Sequence, residues 1–294
     1  MAIIDDIKRT YRQGSMLLRL IFINIGVFLL LHVVAIGAML FNASGDFLQW
    51  VELPSDLTTL LHRPWTLLTY MFSHYGLLHI LFNMLWLYWL GRIFMEYFSS
   101  KQLTGVYLLG GWGGALLYLA AYNLLPYFAG THAFLIGASA AVIAVVVATA
   151  VYAPDYKIGL LFIGEVSLKW VAIVTIIIDV LGLESGNVGG NIAHIGGAIV
   201  GAWFALRIKR GRDITRPLNS LIDAVVALCN GRSWPRVERQ SRQRQQPAAP
   251  HRPADTISEA ELDQILGKIK VSGYDALTDE EKDKLFKASR RREP

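Results

Sequence analysis

Near the openings of three apolar runs in this 294-residue chain stand four side chains with complementary acid–base and hydrogen-bonding chemistry. His79 and Asn83 lie in SHYGLLHILFNML, Ser139 in IGASAAVIAVVVATAV, and His194 in NIAHIGGAIVGA. A serine hydroxyl is a weak nucleophile until a base takes its proton, and imidazole suits that task near neutral pH. The oxyanion formed when such a hydroxyl adds to a carbonyl needs preorganised donors. The Asn83 amide, a His79 N–H and the Ser139 backbone N–H are of that kind. Gly137 lets the chain approach a substrate backbone or a neighbouring helix closely. Each residue also has a plainer reading. Serine in an apolar run commonly packs or bonds its own backbone, histidine can be a satisfied core residue, and asparagine can join two helices.

The elements that must position these groups are membrane spans. Hydrophobic residues make up 53% of the chain and charged residues only 17%, against about a quarter charged in soluble domains. The mean hydropathy is +0.39. Six apolar runs, at roughly 19–41, 77–98, 104–125, 135–152, 169–184 and 189–207, approach the ~20 residues that a crossing helix needs. The first is too long for the h-region of a cleaved signal peptide and is taken as a span. The sequence therefore predicts an all-α polytopic membrane protein.

Loop charges set the orientation. Lys8, Arg9, Arg12 and Arg19 precede or open span one. Arg92 and Lys101 lie between spans two and three, Lys157 and Lys169 between four and five, and Arg207, Lys209, Arg210 and Arg212 at or after the end of six. The loops PYFAGTHAF and ESGNVGGN carry neither Lys nor Arg. Basic residues stay cytoplasmic, so both termini are expected there, and the long loop at about 42–76 is expected outside. The same rule accounts for the net charge of +5 without nucleic acid. Trp65, Tyr70, Tyr88 and Trp112 suit interfacial belts.

Spans two, four and six then all begin on the external side, which puts Ser139, His194 and the His79–Asn83 pair roughly 5–10 Å below it. His79 and Asn83 share a helix face at i and i+4. Polar groups inside a membrane are costly, so their meeting at one depth points to function. Two uses fit: nucleophilic catalysis by serine, and a histidine proton path in a transporter. The single cysteine, Cys229, excludes an internal disulfide, and no metal-ligand spacing such as HExxH appears.

HILFN (79–83), GAS (137–139) and AHIGG (193–197), in this order on the second, fourth and sixth spans, resemble the three signature elements of the rhomboid intramembrane serine proteases. The similarity covers about residues 18–208. It implies a six-span rhomboid-like bundle and a Ser–His dyad without an acidic third member. Ser139 would be the nucleophile and His194 the general base; His79, Asn83 and the Ser139 backbone N–H would form the oxyanion hole. Gly137 is part of the signature, and Gly197 with Gly201 would let span six approach span four. The external loop with Pro64–Trp65 resembles a membrane-dipping first loop. The resemblance implies transmembrane protein substrates and no cofactor or metal. Its rival is an inactive rhomboid-like protein that binds membrane clients. Three positions depart from the common pattern: Ala140 replaces a second glycine, Ile143 replaces an aromatic that stacks on the histidine, and Trp65 is followed by Thr66 rather than arginine.

Asp179, near the external end of span five, is expected to cap that span or pair with a polar group there. Orienting His194 is the alternative. His74 is expected to serve the first loop, and His32 and Asn24 in span one are given no function. Residues 1–18 form a cytoplasmic segment, 19–208 the membrane domain, 209–256 a juxtamembrane segment and linker, and 257–294 a small helical pair. Within the tail, 213–230 is expected to be an amphipathic helix at the lipid surface. Ser258 with Glu261, and Thr278 with Glu281, match helix capping boxes, and Leu262, Ile265, Leu266 and Ile269 form one apolar face. Such a pair is expected to dock on a cytoplasmic partner or on the bundle, with Arg290–Arg292 near acidic lipid. A bacterial inner membrane is the expected location.

Overall fold

The computed structural model describes residues 14–42, 47–160, 164–184, 186–229 and 259–289. Lys8, Arg9, Arg12, the linker with Ser258, and Arg290–Arg292 lie outside the described residues. The helices, in order, are α1 (Met16–Leu40), α2 (Leu57–His62), α3 (Thr66–Thr69), α4 (Leu77–Tyr97), α5 (Ser100–Leu124), α6 (Ser139–Tyr152), α7 (Leu168–Leu181), α8 (Val188–Ile208), α9 (Arg216–Cys229), α10 (Glu259–Ser272) and α11 (Asp279–Ser289). Two short antiparallel strand pairs accompany them: β1 (Leu53–Pro54) with β2 (Phe134–Leu135), and β3 (Lys157–Leu160) with β4 (Gly164–Ser167).

Among the described residues, four helices, α1, α4, α5 and α8, are long and apolar enough to cross a membrane. The helices in the runs expected to be spans four and five, α6 and α7, are shorter, at 14 residues each. Span four begins later than its apolar run suggests. Residues 134–135 are extended and pair with Leu53–Pro54, and Gly137 stands at φ +129°, outside any helical region, so the helix opens at Ser139. Span five ends its α-helix at Leu181 and continues as a 3₁₀ turn, Gly182–Glu184.

Helix α6 is the centre of the bundle. Every residue from Ala140 to Ala150 is buried, as expected of a helix apolar all round. Lipid tails compete equally for apolar side chains, so close helix contact rests on small residues that let backbones meet. A Cβ built on Gly197 would lie 2.1 Å from the Ala140 carbonyl oxygen, and one on Gly201 2.2 Å from that of Ala144. Gly114 and Gly110 of α5, a helix that also touches α8 through Gly113 and Gly196, leave room for the Ala140 and Ala144 methyl groups. The methyl of Ala140, where the common pattern has glycine, is thus accommodated by a glycine on a third helix. Leu29, Leu30, Val33 and Leu40 on α1, and Ile173, Ile177 and Ile178 on α7, are exposed, an apolar surface suited to lipid.

The first loop is anchored to this bundle rather than lying free. Tyr70 is buried and its hydroxyl donates to the Gly111 carbonyl, so it belongs to the core and not to an interfacial belt. Trp65, 45% exposed, stacks on Trp50, whose ring also carries the Arg63 guanidinium. Tyr107 of α5 donates to the Met71 carbonyl (2.9 Å) and accepts from the buried Asn24 amide (3.1 Å). Tyr107→Phe would leave both partners short of a hydrogen bond in a dry site, a cost of about 1–3 kcal/mol. A lowered thermal midpoint in detergent is expected. A variant as stable as wild type would mean that Tyr70 and the surrounding packing hold the loop alone.

Helix α9 docks on the start of α5. Lys101 pairs with Asp223 (2.6 Å), Gln102 donates to Asp213 (3.0 Å), and Thr215 fills the space beside Gly105. Leu221, Val225 and Leu228 remain exposed on it. The described residues 259–289 belong to a separate unit. Within it Ile265 and Leu277 are buried, Leu262 and Ile269 are half-buried, and Leu266 is exposed. Thr278 and Glu281 exchange both bonds of a capping box at the start of α11.

Candidate active site

The site is built at the opening of α6. The first N–H groups of a helix have no carbonyl four residues back, and the helix dipole leaves them partly positive. Two bonds hold the chain that leads into this opening. The Gly137 N–H donates to the Tyr70 carbonyl (2.9 Å), and the Ala138 N–H donates to His74 Nε2 (3.4 Å). Burial, with His79 beside it, pushes the His74 imidazole down to about 4, so the ring is neutral and can accept. The next N–H, that of Ser139, belongs to the first helical residue.

His194 Nε2 lies 2.6 Å from Ser139 Oγ. It reaches that position because α8 lies against α6 through Gly197 and Gly201, one and two turns further on. His79 stands beside Gly137, two residues before the serine, and lines a cavity shared with Ser139. Its Cε1 would be 2.7 Å from a Cβ on Gly137, and its Nε2 2.9 Å, so only glycine leaves room for this ring. His79 and His74 also meet edge to face, with centroids 5.0 Å apart. The Asn83 amide donates one N–H to the His79 carbonyl (2.9 Å), and its side chain lines the same cavity. That cavity, about 590 Å³, is bounded by Phe82 and Trp86 of α4, Ile143 of α6 and Thr175 of α7, with Ser139 and His194 in its wall.

Asp179 is not a cap. Its Oδ1 lies 2.7 Å from His194 Nδ1, the ring nitrogen facing away from Ser139. The expectation that it caps span five fails on simple grounds, while the polar group it pairs with is His194, the partner named as the alternative. A carboxylate only accepts hydrogen bonds, and the last turn of a helix offers carbonyls, not donors. His74, expected only to serve the first loop, stands beside the opening of the helix that begins at Ser139. Lying outside the spans, it carries no signal of depth that would put it there.

The comparisons with known proteins agree with this architecture. Residues 61–211, just over half of the chain, match the Rhomboid domain. Residues 256–291 match a family of unknown function, DUF6576. The chain is 32% identical to RHOMBOID-like protein 12, mitochondrial, of Arabidopsis thaliana, over 61% of its own length and 59% of the relative's. It is 29% identical to Rhomboid protease GlpG of Photorhabdus laumondii, over 60% and 58% of the two chains. It is 28% identical to Rhomboid protease GlpG of Yersinia enterocolitica, over 66% and 63%. The chain thus spans about three fifths of the length of these curated relatives. With the matched domain, the long apolar helices and the glycine-packed bundle, the chain is a multi-pass membrane protein and belongs to the rhomboid family.

Proposed function

We propose that this chain is an intramembrane serine protease that hydrolyses peptide bonds in or near transmembrane segments of other proteins. The observation that carries this reading is the 2.6 Å approach of His194 Nε2 to Ser139 Oγ in the wall of a cavity at the opening of α6. Two of the relatives are named as proteases, which supports it. A binding protein without chemistry would need no base at hydrogen-bond distance from that hydroxyl.

In the proposed reaction Ser139 Oγ attacks the scissile carbonyl carbon while His194 Nε2 takes its proton. The carbonyl oxygen gains the negative charge, and the Ser139 N–H, His79 and the free N–H of the Asn83 amide are its donors. Collapse expels the amine, which receives the proton from His194 and leaves an acyl ester on Ser139. Water, deprotonated by the same imidazole, then releases the carboxylate. A substrate helix hides its carbonyls in i to i+4 bonds, so segments with glycine or other helix-weakening residues near the scissile bond are preferred. The cavity wall formed by α4 and α7 makes the gap between these helices the entrance we assign. Helices α6 and α7 complete six crossings, both termini are cytoplasmic, and the active site faces the external side, as the loop charges support.

The test is turnover of a reporter transmembrane substrate by the purified chain in lipid vesicles, with labelling of Ser139 by a fluorophosphonate probe alongside. Cleavage and labelling at Ser139 are expected. Retention of several such substrates with neither cleavage nor labelling would replace the protease by the client-binding reading.

A further inference from the structure

We infer that Asp179 is a positioning residue that completes a Ser139–His194–Asp179 triad in this chain; the inference rests on the protease reading above. The resemblance that introduced the dyad implies no acidic member, so this is a departure particular to these residues.

The physical case begins with cost. A carboxylate in the last turn of α7 faces the negative end of that helix's dipole. Its side chain is only 9% exposed, so water does little to stabilise the charge. Local helix energetics therefore disfavour an acid at this position. Among the described residues, the donor that meets it is His194 Nδ1, at 2.7 Å. The contact is held from outside the pair. The Asn191 amide, in the first turn of α8, donates to the Gly182 carbonyl just past the end of α7 (2.5 Å). Gly182 has no Cβ to obstruct this, since one would lie 2.5 Å from the Asn191 nitrogen. The clamp ties the two helix ends together and keeps Asp179 level with His194.

The consequence is a choice of tautomer. A carboxylate can only accept, so opposite it a neutral imidazole carries its ring proton on Nδ1. Nε2 then has its lone pair directed at Ser139 Oγ, the arrangement a general base requires. As the serine proton moves to Nε2 the ring becomes an imidazolium, which the Asp179 carboxylate stabilises. Without the carboxylate the neutral ring can hold its proton on Nε2 instead, and that form cannot accept from Ser139.

The experiment uses the full chain in lipid vesicles and compares wild type with Asp179→Asn. The amide keeps the shape of the carboxylate but loses its charge and can rotate to donate to Nδ1. Expected are a thermal midpoint close to wild type, a KM within about twofold, and a kcat lower by about 10²–10⁴-fold, with fluorophosphonate labelling of Ser139 slowed in parallel. A kcat within about threefold of wild type overturns the inference. So does a fall in kcat that follows only a fall in the folded fraction. A second measurement needs no variant that must fold well. Nitrogen NMR of histidine-labelled wild type, with His194 assigned by its loss in His194→Gln, should find the neutral ring protonated on Nδ1. Protonation on Nε2 overturns the inference. If the wild type neither cleaves nor labels, the protease reading fails on its own. The NMR result then still decides whether Asp179 sets the proton on His194.

Discussion

Ser139→Ala is expected to lower turnover of a reporter transmembrane substrate by at least about 10⁴-fold, and His194→Ala by a similar factor. The reason is the shared proton. Without Oγ there is no nucleophile for the imidazole to activate, and without Nε2 the hydroxyl keeps its proton at neutral pH. Either loss removes the same covalent route, so the double variant should be no slower than the single ones. The residue left behind differs in the two cases. Alanine at 139 removes one oxygen from a cavity wall and disturbs little packing, so the thermal midpoint should hardly move. Alanine at 194 also leaves Asp179 without its donor at 2.7 Å and should cost stability as well. Cleavage by Ser139→Ala within tenfold of wild type would sink the assignment of the nucleophile. A transporter using His79 and His194 as proton carriers would be indifferent to Ser139, so the serine variant separates these two uses of the same cavity.

Much of the fold is legible in the sequence because the bilayer imposes one dimension on it. Apolar runs mark crossings, and a residue's place within its run is its depth. Depth alone sets Ser139, His194 and the His79–Asn83 pair at one level. It is not direction, however. Nothing in the run containing Asp179 tells which neighbour its face meets; its packing against α8, with the clamp between Asn191 and Gly182, decides that. The same limit applies at Ala140. Its methyl looks like an obstruction in a two-helix contact, yet Gly114 of α5 leaves the space that receives it. The fit involves three helices at once, and no single run carries it. Hydropathy also overruns the start of α6, because Phe134 and Leu135 are as apolar as helix residues. Their extended conformation comes from pairing with Leu53 and Pro54, some 80 positions earlier.

Two glycine substitutions with opposite expected signs test how the bundle holds the site. Gly26 is exposed on α1 with nothing within 4 Å of a built Cβ. Gly26→Ala should be neutral or stabilising by up to about 1 kcal/mol, because alanine gives up less backbone freedom on folding. Gly197→Ala offers the same gain, but its methyl would stand 2.1 Å from the Ala140 carbonyl oxygen and 2.8 Å from the carbonyl carbon. Backbone atoms cannot rotate away as a side chain can, so α8 must retreat from α6 by about 1 Å. Overpacking of this kind costs about 1–3 kcal/mol, which exceeds the propensity gain. The larger effect falls on the chemistry. His194 lies one turn before Gly197 on the same helix, and a displacement of that size at a reacting pair lowers rate by about 10²-fold. Gly197→Ala should therefore show a lower thermal midpoint, slower labelling of Ser139 and a depressed kcat together, while Gly26→Ala shows none of these. A Gly197→Ala variant with wild-type turnover would mean that the glycine contact between α6 and α8 does not set the distance between Ser139 and His194.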